Sequence, residues 1–307
     1  MIPTESTNNE VSHIPVLLNE VCQNIDPQKG DVILDGTIGD GGHSKELCEL
    51  GGGKISIIAF DADKNAIETA KKNLSRSKCK MLFVNRNFRE LKEVLKELKI
   101  DKVNAVLLDL GWSSRQLSSS GRGFSFQKDE PLLMTLSSKL DENTLTAKDI
   151  VNEWDEKNIE TIIRNYGEER FSGRIAKAIV KHREEKEIKT TFELKSIIES
   201  AVPAFYRRGK INPSTKTFQA LRITVNDEIE SLKATLLAGI SILAPGGKMA
   251  IISFHSIEDR VVKREMQGWV KAGLGSLASK KPIVPSEVEI KNNPRSRSAK
   301  LRVFIKN

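Results

Sequence analysis

A short apolar run leads directly into a glycine-rich turn in the segment Val32-Ile33-Leu34-Asp35-Gly36-Thr37-Ile38-Gly39-Asp40-Gly41-Gly42-His43. A helical pattern over residues 44–50 begins where the turn ends. Glycine permits positive φ and lets a ligand approach the main chain closely, and the free N–H groups of a helix start can face that ligand. This order predicts an α/β protein that binds a nucleotide-like small molecule at the carboxyl end of its first strand. A plain tight turn is the alternative.

The composition is that of a globular protein, and the absence of targeting and membrane signals indicates its cellular compartment. Hydrophobic residues make up 38% of the 307 residues and charged residues 29%, which is ordinary for one large domain or two smaller ones. No apolar run approaches the roughly 18 residues of a membrane span, and residues 1–11 lack the Lys and Arg of a signal or transit peptide. We therefore expect a cytoplasmic protein without a membrane partner.

The cysteines and the charges add two further expectations. Cys22, Cys48 and Cys79 are odd in number and widely spaced, so we expect small core residues in a reducing compartment rather than a metal clip. Of the formal net charge of +8, much lies in residues 256–307, which hold 12 Lys and Arg against 5 Asp and Glu. Such a basic end favours a polyanionic partner, with a solvated lysine-rich tail as the alternative.

Strands and helices alternate over roughly the first third of the chain. Apolar runs at Val32–Asp35, Ile55–Phe60, Met81–Val84 and Ala105–Leu108 predict four strands, and helical patterns lie between them. Continuous apolar strands separated by helices indicate a parallel sheet that is covered on both faces.

The alternation then stops, and the pattern is helical without a convincing strand until about residue 215. A long helix is expected over Thr217–Leu243, followed by a strand at Lys248–Phe254 and by a helix that Ser256 and Asp259 are spaced to cap. We therefore divide the chain into a first part of an α/β domain, an inserted all-helical substrate-recognition domain, and the second part of the first domain with a basic C-terminal segment, over residues 1–114, 115–215 and 216–307.

Acidic residues follow two of the predicted strands. Asp61 ends the second strand, where a carboxylate would hold the ribose hydroxyls of either a dinucleotide or S-adenosylmethionine, and Asp63 is placed to cap the next helix. Asp109 ends the fourth strand and is followed by the bulky Trp112. A hydride-transfer enzyme would need a proton donor or a substrate clamp there, and the sequence shows no histidine or arginine pair.

A set of short motifs runs in one order along nearly the whole chain. These are His13-Ile14-Pro15-Val16-Leu17-Leu18, Asp35-Gly36-Thr37, Gly41-Gly42-His43-Ser44, Leu108-Asp109-Leu110-Gly111, Ser113-Ser114, Arg122-Gly123-Phe124-Ser125-Phe126, Tyr166-Gly167-Glu168-Glu169-Arg170-Phe171, Thr217-Phe218-Gln219-Ala220, Ser253-Phe254-His255-Ser256 and Asn293-Pro294-Arg295-Ser296-Arg297-Ser298. With these motifs the chain resembles the bacterial small-subunit (16S) rRNA cytosine-N4 methyltransferase family. The resemblance implies a Rossmann-like class I methyltransferase sheet with an inserted helical domain, acting on a cytidine in the ribosomal decoding centre.

The resemblance also implies S-adenosylmethionine as the cofactor. Carried over position by position, its contacts fall on Gly41, Gly42, His43, Asp61, Phe88, Asp109 and Gln116. The glycine amides and His43 suit the methionine carboxylate, Asp61 the ribose, and Phe88 the face of the adenine. Surface and core roles for His43 and Phe88 are the alternatives from the residues alone.

Asp109 is the candidate catalytic residue. The lone pair of the cytosine amine is delocalised into the ring, and a carboxylate that accepts an N4–H bond would localise it and orient it toward the methyl group. DNA amino-methyltransferases usually carry an Asp/Asn-Pro-Pro-aromatic motif at this place, and this chain reads Asp109-Leu110-Gly111-Trp112. The difference favours the rRNA family over a DNA enzyme.

The target base must leave its stack to reach the methyl group, and aromatic side chains are the usual platform for unstacked RNA bases. The candidate platforms are Trp112, Phe124 and Phe126. The candidate phosphate contacts are Arg122, Arg295 and Arg297, the last two in a segment without an evident helix or strand. Core packing for the aromatic residues and a solvated basic loop for the arginines are the alternatives.

One segment departs from the family. Where the family usually reads Gly-Pro-Leu-Asp-Met-Arg-Met, this chain reads Glu130-Pro131-Leu132-Leu133-Met134-Thr135-Leu136. An acid and a base are thus replaced by Leu133 and Thr135. If the acid and the base brace a loop, packing can substitute for them; if they touch RNA or the reacting base, activity or target choice changes.

The sequence therefore predicts a cytoplasmic S-adenosylmethionine-dependent methyltransferase that modifies N4 of a cytidine in small-subunit rRNA. Its expected partner is the rRNA or the small ribosomal subunit, and a homodimer through the helical insertion is a further hypothesis. Two other classes stay open. A non-catalytic ribosome-assembly factor would keep the cofactor fold, and a nicotinamide-dependent oxidoreductase would share the glycine turn and Asp61 but leave the segment after Asp109 unexplained.

Overall fold

The computed structural model describes residues 14–111, 121–136, 140–141 and 144–307. Its strands are β1 (Val32–Asp35), β2 (Ser56–Phe60), β3 (Lys80–Val84), β4 (Val103–Asp109), β5 (Leu243–Ser253), β6 (Gly275–Leu277) and β7 (Lys300–Lys306). Its α-helices are α1 (Leu18–Ile25), α2 (Gly42–Leu50), α3 (Lys64–Asn73), α4 (Leu91–Glu97), α5 (Ala147–Glu153), α6 (Glu156–Gly167), α7 (Ser172–Glu185), α8 (Thr191–Ala201), α9 (Ala204–Arg207), α10 (Ser214–Val225), α11 (Glu228–Ile242), α12 (Ser256–Lys271) and α13 (Glu287–Asn292). Two 3-10 helices, Phe88–Glu90 and Pro294–Ser298, complete the set.

The seven strands form one sheet in the order β3-β2-β1-β4-β5-β7-β6. The first five strands in chain order pair in parallel, and β7 runs antiparallel between β5 and β6. The chain leaves β1 for β2 on one side and returns to β4 on the other, so the strand order reverses beside β1. This sheet confirms the predicted α/β class.

Both faces of the sheet are covered, as the apolar strands predict. Ile33 and Leu107 lie in a core shared with α1, α2 and α3, whereas Leu34 and Leu108 lie in a second core shared with α4, α11 and α12. Successive strand residues point to opposite faces, and each of these four side chains is fully buried. The continuous apolar runs therefore reflect burial on two sides.

The helices between β4 and β5 have their own apolar core. It contains Ile150, Ile163, Ile175 and Leu194, and it continues past residue 215 into α10 through Phe218. The described residues of this segment contain no strand. The division at residues 115 and 216 stays a prediction. None of the described helices is long and apolar enough to cross a membrane.

The predicted helix over Thr217–Leu243 is wrong as a single element. It is two helices, α10 and α11, separated at Asn226 and Asp227, where Asp227 has a φ of 49°. The amide of Asn226 accepts from the Leu136 N–H (2.8 Å) and donates to the Met134 carbonyl (2.7 Å). Hydrogen bonds to residues about 90 positions earlier in the chain break the helix here. The helix propensity of the local sequence gives no information about them.

The cysteines are buried as predicted, but two of them are joined. Cys48 of α2 and Cys79 form a disulfide, and Cys22 is free and buried. The expectation of three reduced core residues is therefore wrong for this pair. The two positions are 31 residues apart in sequence, and only the folded chain brings their Cα atoms to 5.9 Å.

Candidate functional site

A cavity of about 460 Å³ opens at the carboxyl ends of the central strands. It lies where the strand order reverses beside β1, the place where open α/β sheets bind their ligands. Its volume is within the range of about 300–1,000 Å³ that holds small-molecule ligands. The ionisable side chains in its wall are Asp40, His43, Asp61, Asp109, Arg222, Glu228, His255, Glu258 and Arg295.

Asp35, at the end of β1, holds the glycine turn in place by hydrogen bonds. Its carboxylate is 2% exposed and accepts from the Thr37 N–H (3.1 Å) and from the Ser44 hydroxyl (2.7 Å). Burial raises its pKa. The Thr37 hydroxyl in turn accepts from the Asp109 N–H at 2.6 Å, which ties the turn to β4. Asp35 is part of the glycine-rich motif, but nothing in the sequence indicates this role.

The glycines of the turn have separate functions. A Cβ on Gly36 would lie 2.4 Å from Leu108 Cδ2, so a larger residue here would have to displace the fully buried Leu108 side chain. Gly41 has a φ of +88° and faces Leu74, and it lies behind the cavity wall, which contains Gly39 and Gly42 instead. Gly42 lies in the cavity wall, and Gly41 is not among the lining residues. The cofactor contacts of both glycines stay predictions.

Helix α2 points its start into the cavity. Within the described residues, the N–H groups of Gly42, His43 and Ser44 donate to no acceptor, and the first helical bond is from Lys45 to Gly41. Unpaired N–H groups at the start of a helix attract a carboxylate or phosphate. This arrangement is what the predicted methionine carboxylate requires.

His43 is buried and held from both sides. Its Nε2 lies 2.9 Å from the Val16 carbonyl and its Nδ1 lies 3.8 Å from Asp109 Oδ2. Burial lowers the pKa of the imidazole, so the neutral ring is favoured. Because a carbonyl only accepts, Nε2 carries the proton and Nδ1 presents a lone pair toward the Asp109 side of the cavity.

Asp61 lies at the end of β2, as predicted. Its Oδ2 accepts from the Gly39 N–H (3.1 Å) and its Oδ1 accepts from the Asp63 N–H (2.9 Å). Burial raises its pKa to about 6 in spite of these bonds. Asp63 caps α3 by accepting from the Asn65 N–H, which confirms its predicted structural role.

Phe88 and Asp109 complete the near half of the cavity. Phe88 begins the 3-10 helix that follows β3, is half-buried and lies in the wall. Asp109 ends β4 and lies in the wall opposite His43. The predicted contacts Gln116 and Trp112 lie outside the described residues.

The far half of the cavity carries a charged cluster that the sequence analysis missed. The Arg222 guanidinium donates to both carboxylate oxygens of Glu228, at 2.9 and 3.0 Å, and both side chains are largely buried. His255 Nε2 lies 3.2 Å from Glu258 Oε1. Burial and the nearby Glu258 raise the pKa of Glu228, while Arg222 opposes the shift.

The start of α12 places two of these residues. His255, not Ser256, is the N-cap, and Glu258 closes the capping box by accepting from the His255 N–H. Asp259, the other predicted capping residue, instead accepts from Arg302 Nε at 2.7 Å and Lys300 Nζ at 3.2 Å, which holds α12 against β7. Histidine is an uncommon capping residue, so the sequence pattern favours the serine one position later.

One group in the described residues has the spacing of metal ligands. One ligand atom each from Glu228, His255 and Glu258 lies within 4.8 Å of the others. Both carboxylate oxygens of Glu228 are already bound by Arg222. The arrangement therefore fits an ion-paired hydrogen-bonding network better than a cation site.

Residues distant in sequence close the rim of the cavity. Ile14, Pro15 and Val16 line one side beside Asn293 and Arg295. The Asn293 amide donates to the Ile14 carbonyl at 3.0 Å. Nearby, a carboxylate of α13 accepts from the first N–H group of the α1 segment, in the pair Glu289–Leu17 at 2.7 Å.

Two of the three residues predicted to stack on RNA bases, Phe124 and Phe126, lie within the described residues, and neither is fully exposed. Phe124 is 8% exposed and lies in the helical core, so its prediction as a stacking platform is wrong. Phe126 is half-buried and packs edge-on against Phe218, with ring centroids 5.3 Å apart. The alternative reading of core packing is correct for Phe124.

Of the three arginines predicted to contact phosphate, one bonds within the protein and two lie at or next to the cavity wall. Arg122 donates to the carbonyls of Thr135 and Leu136, at 3.1 and 3.0 Å, and so braces a loop of the chain itself. Arg295 lies in the cavity wall, and Arg297 is exposed next to it. Both belong to the 3-10 helix Pro294–Ser298, so the expectation of a structureless segment is wrong.

The segment that departs from the family is closely packed. Thr135 is 5% exposed, Leu133 is half-buried, and Met134 has a φ of 51°. Arg122 and Asn226 hold the backbone on both sides by hydrogen bonds. The structure thus favours the reading in which neutral packing braces this loop.

Comparison with known proteins matches the MraW methylase family over residues 10–307. The chain is 45% identical to the ribosomal RNA small subunit methyltransferase H of Acetivibrio thermocellus, over 97% of this chain and 99% of that protein. The proteins of the same name from Geotalea uraniireducens and Clostridioides difficile are each 41% identical over 97% of this chain and 99% of the relative. A methylase requires a methyl donor, and the match confirms the predicted cofactor, S-adenosylmethionine. The chain belongs to the MraW methylase family.

Proposed function

We propose that this chain transfers a methyl group from S-adenosylmethionine to N4 of a cytidine in small-subunit rRNA, near the decoding centre. The relatives are named ribosomal RNA small subunit methyltransferases, which supports the substrate class. The observation that carries the proposal is one continuous cavity with two chemically different halves, and Asp109 lines it at the end of β4, the strand between β1 and β5.

The near half fits the cofactor. The α2 N–H groups suit the methionine carboxylate, Asp61 suits the ribose hydroxyls, and Phe88 suits the adenine face. S-adenosylmethionine supplies a methyl group bound to a positively charged sulfur. The wall carries more carboxyl than guanidinium groups, with Asp40, Asp61, Asp109, Glu228 and Glu258 against Arg222 and Arg295, which favours a cation.

The far half fits a pyrimidine with an exocyclic amine. Cytosine donates from N4, and its ring presents the acceptors N3 and O2. Arg222 supplies N–H donors, and Glu258 supplies an acceptor that is 4% exposed. A buried polar cluster of this kind discriminates strongly, because a base of the wrong pattern leaves its groups unpaired.

Asp109 lines the cavity at the end of β4. A carboxylate here accepts one N4–H bond, which localises the nitrogen lone pair and turns it toward the methyl group. The backbone bond from Asp109 N–H to Thr37 fixes the position of this residue relative to the glycine turn. The rate then depends on positioning and charge complementarity, with no covalent intermediate on the protein.

The test is the variant Asp109→Asn, with Asp101→Asn as the matched control because Asp101 is exposed near the opposite end of β4. We expect Asp109→Asn to fold normally and to lose about 100- to 1,000-fold in single-turnover methyl transfer to small-subunit rRNA, while the control keeps its rate. Nucleoside mass spectrometry of the product identifies the methylated atom. A wild-type rate in Asp109→Asn contradicts the role of Asp109, and methylation of ribose or a ring carbon contradicts the N4 assignment.

A further inference from the structure

A surface of the helical segment combines exposed cations with an exposed aromatic ring. We call it the cationic strip and define it by Arg170, Arg174, Lys177, Lys181, Phe205, Arg207, Arg208 and Lys210. Phe205 is 66% exposed, which is unusual for so large an apolar side chain, and all seven cations are exposed. None of these residues lines the cavity.

The aromatic part of the strip is pre-organised. The Arg170 guanidinium carbon lies 4.7 Å from the ring centre of Phe171, 5.5 Å from that of Phe205 and 4.8 Å from that of Tyr206. The Tyr206 hydroxyl donates to Glu169 at 2.6 Å, and Glu169 is 1% exposed. A planar cation held between rings leaves the outer face of Phe205 open to solvent, where another flat group can stack.

The cations of the strip come from α7, from the end of α9 and from Arg170 beside them. Arg174, Lys177 and Lys181 follow one face of α7 at helical spacing and cover about 10 Å. Arg207, Arg208 and Lys210 continue the positive surface from the end of α9. In the part of the chain that the structure describes, none of the seven cations forms a salt bridge.

The strip begins beside the cavity. Glu168, two residues before Arg170, accepts from the Ser256 hydroxyl at 2.5 Å and from Arg260 at 2.5 Å. Ser256 directly follows His255 of the cavity wall. Glu168 thus joins the segment that carries Arg170 to the start of α12, which is part of the cavity wall.

We propose that the cationic strip binds single-stranded RNA that flanks the target nucleotide, an inference that rests on the proposed rRNA substrate. Exposed cations contact successive phosphates, and Phe205 stacks on one unpaired base. An exposed aromatic ring among cations is the arrangement by which proteins hold single-stranded nucleic acid without base-specific hydrogen bonds. The strip thus fixes the strand while the cavity selects the base.

The experiment measures binding of a fluorescein-labelled single-stranded RNA of about 20 nucleotides by anisotropy, across about 50–200 mM salt. One variant is Arg207→Gln/Arg208→Gln/Lys210→Gln, and a second is Phe205→Ala. The matched control removes three exposed cations from the β3 and α4 side of the sheet, Lys80→Gln/Lys92→Gln/Lys96→Gln. S-adenosylhomocysteine affinity, measured for every variant, verifies that the fold is intact.

We expect the triple strip variant to reduce the slope of log K against log salt by about 2, since each phosphate contact on a single strand contributes about 0.7. Phe205→Ala raises Kd about tenfold and leaves the slope unchanged, because stacking releases no counterions. The control changes neither quantity. Wild-type RNA binding in both strip variants overturns the proposal.

Two further measurements distinguish RNA binding by the strip from binding of a ribosomal protein and from failure of the proposed function. If strip variants bind the RNA normally but lose affinity for assembled small subunits, the surface contacts a ribosomal protein and the RNA proposal is wrong. Methyl transfer by the wild type to small-subunit rRNA tests the proposed function independently. Its absence, combined with impaired RNA binding of the strip variants, refutes the function and keeps the strip as an RNA surface.

Discussion

Removing the charge of Asp61 tests the cofactor half of the cavity directly. Both carboxylate oxygens accept one backbone N–H each, from Gly39 and Asp63, and each oxygen has a further lone pair for a ribose hydroxyl. The substitution Asp61→Asn replaces one oxygen with an NH2 group. That group cannot accept, so it faces an N–H donor and leaves one ribose hydroxyl unpaired.

The expected loss follows from the charge of the acceptor. A hydrogen bond to a charged group contributes about 1.5–3 kcal/mol, which corresponds to a roughly 10- to 150-fold weaker Kd for S-adenosylhomocysteine at about pH 8. Burial raises the pKa of Asp61 to about 6. If the ionised form binds the ribose hydroxyls as proposed, wild-type affinity should fall about tenfold for each pH unit below this pKa.

Isothermal titration with S-adenosylhomocysteine at about pH 5, 6, 7 and 8 measures both effects. Asp101→Asn is the matched control, since this carboxylate is exposed near the opposite end of β4 and lies outside the cavity wall. The control should retain the wild-type pH dependence, whereas Asp61→Asn should lose it. Equal pH dependence in Asp61→Asn and the wild type refutes the assignment of Asp61 to the ribose.

The same pKa shift has a consequence for the ligand-free protein. The folded state holds the Asp61 proton more tightly than the unfolded state, so the contribution of Asp61 to the free energy of unfolding is greatest below about pH 4 and falls as pH rises to about 6. The loss is at most about 3 kcal/mol. Denaturant titrations of the wild type and Asp61→Asn across this window measure it, and a rise in stability of the wild type relative to the variant would contradict the sign.

Two further substitutions test the packing and the charged cluster. Gly36→Ala places a methyl group 2.4 Å from a leucine of β4, so we expect the free energy of unfolding, measured by chemical denaturation, to fall by about 1–3 kcal/mol. The control Gly268→Ala adds a methyl group in open space on α12 and should raise the free energy of unfolding by up to about 1 kcal/mol. Arg222→Met leaves the buried Glu228 carboxylate unpaired and should lower the free energy of unfolding by about 3–5 kcal/mol at neutral pH. Adding Glu228→Gln should recover much of this loss. If the losses of the two single variants simply add in the double variant, the pair is not coupled.

The near half of the cavity could be predicted because its signals are local. The apolar run, the glycines and the helix start of residues 32–50 are contiguous, and Asp61 and Asp109 are each found at a strand end. Parallel strands bring these ends to one edge of the sheet without further information. A motif does not reveal which of two adjacent glycines faces the ligand, so the contact of Gly41 stays a prediction.

The far half could not be predicted because its parts come from separate elements. Arg222 and Glu228 lie on two helices whose boundary is set by a contact to Met134 and Leu136, more than 80 residues earlier. His255 and Glu258 come from a third helix. Each of these residues is ordinary in its local sequence, and only tertiary packing makes it part of a site.

The rim contacts of the cavity make the site depend on segments that are far apart in the sequence. Ile14 and Leu17 bond to Asn293 and Glu289, which lie more than 270 residues later. Strand β7, which pairs with β5, follows these partners. Removing residues 287–307 would therefore take away one side of the cavity rim together with a strand of the sheet that carries it.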